Sequence, residues 1–152
     1  MFIAISEYPV DKRIAGIHCV PITDDGMVVM VWDHNEKALT TIGGRLEQNE
    51  GIHEALDREA IEEAGVILGA HRIPIAAWHW ENTDTYTVFV VAKVKEYTTM
   101  PEGFETTGRV IMNFETARQM VMRLEGDGHR IKVLELAEEV YSKFLKGNEA
   151  LK

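Results

Sequence analysis

Residues 43–66 read GGRLEQNEGIHEALDREAIEEAGV, and the acids in that run decide how the rest of the chain is read. From Gly51 to about Ala64 the pattern predicts a helix. On it Glu59, Glu62 and Glu63 stand at i, i+3 and i+4, so they share one face over little more than one turn. Like charges so spaced destabilise a helix unless something neutralises them. They also take over the angular sector that Ile52 and Leu56 hold one and two turns earlier. An apolar stripe that turns acidic is a broken local rule, the kind expected at a functional site. Hard, oxygen-only donors at this density suit Mg²⁺ or Mn²⁺, not zinc. For a bare ExxEE the competing reading is a solvated acidic face.

The flanks of the triplet argue against that competing reading. Glu50 follows Gly44, and Asn49 beside it is the non-glycine residue that best tolerates left-handed backbone. Arg58 lies one turn before Glu62 and can orient that carboxylate. Gly65 can take the left-handed C-terminal cap, with apolar Val66 after it.

Working outward, residues 14–22 (IAGIHCVPI) and 27–33 (MVVMVWD) read as strands joined by a turn at Thr23-Asp24-Asp25-Gly26. Residues 37–42 predict a short third strand that Gly43-Gly44 break. Residues 70–80 and 85–97, rich in Ile, Val, Trp and Thr, read as a long antiparallel pair turning at Glu81-Asn82-Thr83-Asp84. A loop over 98–107, a strand over 109–114, a helix over 115–124 and an amphipathic helix over 129–145 complete the chain. In the last helix Ile131, Leu134, Leu136, Ala137, Val140, Phe144 and Leu145 fall mostly on one side. Mixed strands with two or three helices indicate an α/β/α layered domain spanning residues 1–152.

Charge adds a constraint. The chain carries 25 acidic and 16 basic residues, a net charge of −9. Such a surface repels a duplex nucleic-acid backbone, and also a free polyphosphate unless bound cations invert the local sign. Acidity that serves solubility alone is the plainer account. No apolar run approaches the roughly eighteen residues that span a bilayer, so no membrane partner is expected. Cys19 is the single cysteine, and the N-terminus lacks the basic start and long apolar core of a signal peptide, so a cytoplasmic location is expected.

The cassette resembles the Nudix signature: G, five residues, E, seven residues, then R-E-U-x-E-E-x-G-U with U apolar. Gly44, Glu50, Arg58, Glu59, Ala60, Glu62, Glu63, Gly65 and Val66 match every fixed position. The order of elements is also similar to that superfamily. The stretch from Gly103 to Val110 (GFETTGRV) resembles a MutT-like nucleoside triphosphatase branch found in bacilli.

The resemblance implies an α/β/α sandwich with a mixed sheet and an Mg²⁺- or Mn²⁺-dependent hydrolase. It implies Glu59, Glu62 and Glu63 as metal ligands, with the Gly43 carbonyl completing the set. Glu47 and Glu50 would be acids that support the ligands or orient water. Glu105, with Glu102 in reserve, would be the loop acid that joins the site or acts as base; a solvated loop acid is the alternative for either. Two departures, Ile42 where proline is common and Asn49 where glycine is common, bear on substrate fit, not chemistry.

Trp78 and Trp80 alternate with His79 on a predicted strand, so both indoles face one way. They either stack on a base or fill the core or a dimer interface. The leading function is a nucleoside triphosphate pyrophosphohydrolase, with oxidised or non-standard nucleotides among its candidate substrates. The alternatives are a nucleoside-diphosphate-X hydrolase such as one for ADP-ribose, an RNA 5′-pyrophosphohydrolase, and a nucleotide-sensing module without catalysis. Pro74 and Pro101, the prolines beyond the cassette, are not placed as an ADP-ribose enzyme would have them. The expected partner is a small nucleotide, and the expected state a monomer or homodimer.

Overall fold

The computed structural model describes residues 1–104 and 106–145. The strands are β1 (Phe2–Ala4), β2 (Arg13–Ile22), β3 (Val28–Asp33), β4 (Ala38–Thr40), β5 (Ile42–Arg45), β6 (Val66–Trp80), β7 (Thr85–Tyr97) and β8 (Thr106–Met112). The helices are α1 (Ile52–Ala64), α2 (Phe114–Glu125) and α3 (His129–Val140), the last followed by a π-helical turn at Tyr141–Leu145. The sheet runs β1-β6-β7-β2-β3-β4, with β5 also on β2 and β8 also on β3. β2 and β7 are parallel, and the remaining pairs are antiparallel.

The near-continuous apolar runs of β2, β3 and β7 follow from burial on both faces. On one face Val20, Ile22, Val28, Met30, Phe89 and Val91 pack with residues of α2 and α3. On the other, Ile17, Cys19, Val29, Val31, Val88 and Val90 pack against Ala55, Leu56, Ala60 and Ala64 of α1. Alternate residues of each strand thus serve opposite layers, which makes the α/β/α sandwich with a mixed sheet.

Several elements differ from the sequence reading. Gly43 and Gly44 do not break a strand; they lie within β5, opposite His18 and Ile17 of β2. A Cβ at Gly43 would stand 2.2 Å from the Ile17 carbonyl oxygen, and the residue has φ +155°. Glycine here permits close strand approach. β6 starts at Val66, directly after the α1 cap, and its irregularities near Leu68 and Arg72 blur the two-residue alternation. β8 begins at Thr106 and ends at Met112, so the strand lies earlier than 109–114. The last helix changes pitch after Val140, and the wider turn leaves Phe144 55% exposed while Leu145 takes the buried position.

Candidate active site

The loop from β5 to α1 is folded by its own backbone. The Glu47 N–H donates to Glu50 Oε1 at 2.8 Å, and the Glu50 N–H returns to the Glu47 carbonyl at 3.1 Å. Asn49 takes φ +64°, as its side chain allows. This turn aims Glu50 at Arg58. Arg58 Nε donates to Glu50 Oε2 at 2.7 Å and Nη2 donates to Oε1 at 2.9 Å, a bidentate pair. Its Nη1 donates to Glu59 at 3.0 Å and to Glu62 at 3.3 Å, and lies 3.6 Å from Glu47. Nη2 also reaches the Arg45 carbonyl at 3.3 Å.

Four carboxylates therefore surround one guanidinium, and three formal negative charges stay uncompensated there. Glu50 and Glu59 have only 11% and 13% of their side chains exposed. A Cβ at Gly44 would stand 2.7 Å from Glu59 Oε1, so the glycine lets that carboxylate lie against the strand. Among the described residues no three acidic, histidine or cysteine side chains converge on one cation position. Glu50, Glu59 and Glu62 are instead turned onto Arg58. The donors still fit Mg²⁺ or Mn²⁺: they are all hard oxygens, and they carry excess negative charge.

Glu47, Glu50 and Gly44 line a cleft of ≈ 880 Å³ whose other walls include Arg13, Arg45, Trp80 and Thr87. Trp80 is 47% exposed, and its indole N–H donates to Thr87 Oγ1 at 2.9 Å, which holds the ring in place. Trp78 is turned to the core and packs against His129 of α3 at 5.4 Å between ring centroids. The two indoles thus differ in place: Trp78 packs on the core, and Trp80 lines the cleft. Glu102 lies in an exposed loop, and Glu105 falls outside the described residues.

His18 also lines the cleft, with Nδ1 2.9 Å from Thr41 Oγ1. Burial, reinforced by the charges of Arg130 and His129, brings its imidazole down to about 4, so it is neutral at pH 7. The Glu50 carboxyl is brought down to about 2, first by the Arg58 hydrogen bonds and then by the Glu47 N–H. Both folded values are depressed, so each group contributes stability above its ordinary value that is lost as pH falls toward the lowered one. His18 acts between 6.5 and about 4, Glu50 between 4.5 and about 2. Thermal melts across these windows should show wild type losing stability below pH 4.5 more steeply than Glu50→Gln. Equal slopes there would contradict the Arg58–Glu50 assignment.

The C-terminus of α1 closes as its sequence suggested. Gly65 is left-handed at φ +61°, and its N–H bonds back to Ala60 and Ile61. What lies beyond that cap has no local sequence signal. Thr106 Oγ1 donates to the Glu63 carbonyl at 2.6 Å, and Arg109 Nη1 donates to the Ala64 carbonyl at 2.9 Å. Arg13, Arg45 and Thr87 were likewise missed as cleft residues, since nothing in their local pattern marks them.

The sequence profile of the NUDIX domain matches residues 12–136. The chain belongs to the NUDIX domain family. As a Nudix enzyme it is a pyrophosphohydrolase that acts on acid anhydrides. No curated protein matches the chain. Among solved structures, a NUDIX hydrolase from Nitrosomonas europaea aligns with TM-score 0.65 and 18% identity, over 87% of this chain and 91% of that one. The Bacillus subtilis pyrophosphohydrolase BsRppH aligns with TM-score 0.71 and 15% identity, over 95% and 93%. The E. coli ORF135 protein aligns with TM-score 0.58 and 18% identity, over 91% and 99%. At these identities the likenesses establish the Nudix fold. Among the described residues, no helix is long and apolar enough to cross a membrane.

Proposed function

We propose that this Nudix enzyme is a MutT-like nucleoside triphosphate pyrophosphohydrolase that releases a nucleoside monophosphate and pyrophosphate. The observation that carries the reading is the acidic cluster around Arg58, two members of which, Glu47 and Glu50, line a cleft that Trp80 also lines. Glu59, Glu62 and Glu63, with the Gly43 carbonyl, would hold Mg²⁺ or Mn²⁺. When bound, the ion lowers the pKa of water and offsets charge on the leaving phosphates.

The chain's own groups do the rest. Arg58 fixes Glu59 and Glu62, while Glu47 and Glu50 fix Arg58. A carboxyl brought down to about 2 is a weak base, so Glu50 serves orientation and does not take the proton. That role falls to the loop acid Glu105, with Glu102 in reserve. The water oxygen bonds to the inner phosphorus, its proton passes to the loop carboxylate, and the bridging phosphorus–oxygen bond breaks toward pyrophosphate. Trp80 offers its face to a base.

A substrate panel in ¹⁸O-water tests this. It includes ordinary and oxidised nucleoside triphosphates, ADP-ribose and 5′-triphosphorylated RNA, with products resolved by mass. The expected result is turnover of purine nucleoside triphosphates with the label in the monophosphate. Turnover of ADP-ribose or RNA with free triphosphates ignored would overturn the substrate class. Tight nucleotide binding with no product from any member would instead mark a sensing module.

A further inference from the structure

The last carbonyls of a helix have no partners within it, and this end of the macrodipole is negative. In α1 that end also carries Glu62 and Glu63, and its last turn holds no basic residue. The compensating cation comes from β8. Arg109 Nη1 lies 2.9 Å from the Ala64 carbonyl oxygen, 3.2 Å from that of Gly65 and 3.2 Å from that of Thr98. Its guanidinium carbon sits 4.7 Å from the centroid of the Tyr97 ring. Three residues before Arg109 along β8, Thr106 Oγ1 takes the Glu63 carbonyl at 2.6 Å, and the Thr98 N–H takes Gly65 at 2.7 Å. A Cβ at Gly65 would stand 2.9 Å from Arg109 Nη1, so the glycine also admits the guanidinium.

We propose that Arg109 is a positioning residue for the reaction: it fastens the C-terminus of α1, and with it Glu62 and Glu63, to the start of the loop that follows β7. The inference rests on the reading of the α1 acids as ligands of a divalent ion. Arg109 acts through carbonyls and through the helix end. Nη1 alone makes all three carbonyl contacts while the guanidinium plane lies over Tyr97, and a lysine ammonium on its shorter stem is not held in that place.

The test measures Mn²⁺ binding by electron paramagnetic resonance, and Mg²⁺-dependent GTP hydrolysis, on wild type, Arg109→Lys and Thr106→Val. Arg109→Lys should weaken Mn²⁺ binding and lower kcat, each on the order of tenfold, as loss of a group that orients a ligand does. KM for GTP should stay close to wild type. Thr106→Val, which removes only the hydroxyl on the Glu63 carbonyl, should shift Mn²⁺ binding in the same direction by less. It carries the test if Arg109→Lys does not fold. A purely structural role would lower Tm in the variants and leave Mn²⁺ affinity and kcat per folded molecule unchanged; that result overturns the inference alone. Wild type that binds no Mn²⁺ would sink the ligand reading and this inference with it.

Discussion

Glu62→Gln should lower kcat by about three orders of magnitude, because a divalent ion contributes several kcal/mol to a phosphoryl transition state and this change weakens its hold. Stability should not follow. The substitution preserves volume and removes one charge from the acids crowded on Arg58. Its contact with Arg58 is 3.3 Å on a part-exposed side chain, a geometry that contributes little. The Tm without metal should therefore stay level or rise. Paired melting curves and single-turnover rates decide it. A collapsed Tm with normal activity per folded molecule would make Glu62 a structural residue.

Arg58→Met is expected to damage both properties. Glu50 and Glu59, nearly enclosed, would lose their cation and face each other's charge. Tm should fall by several degrees, and kcat should fall on the order of a hundredfold as the carboxylates lose their orientation. Mg²⁺ should then raise the Tm of the variant more than that of wild type, because the ion offsets charge that the guanidinium no longer does. Melting curves with and without Mg²⁺ check this. A variant as stable and as active as wild type would contradict the account of Arg58 as organiser of the cluster.

The residues that local chemistry constrains were legible before the structure. Asn49 is left-handed, Gly65 caps α1, and Arg58 reaches Glu62, all as spacing and residue type required. The α/β/α layering followed from the mixture of strands with two or three helices. What was missed depends on approach between distant segments. Gly43 and Gly44 look like breakers in isolation, yet they admit β5 onto β2. β1 is three residues long, too short for any periodicity, and it is defined by pairing with β6. Trp78 and Trp80 share a strand face, but the ring of His129 covers only the first. Arg109 binds carbonyls, which every residue offers, so no pattern could announce it.

The acids of α1 should hold a divalent ion without which the diphosphate linkage is not cleaved. Pyrophosphate release from GTP, followed first with Mg²⁺, then with excess EDTA, then with Mg²⁺ restored, tests it most directly. The expected result is steady release, its loss under the chelator and its return with the ion. Hydrolysis at the full rate in excess EDTA would contradict it.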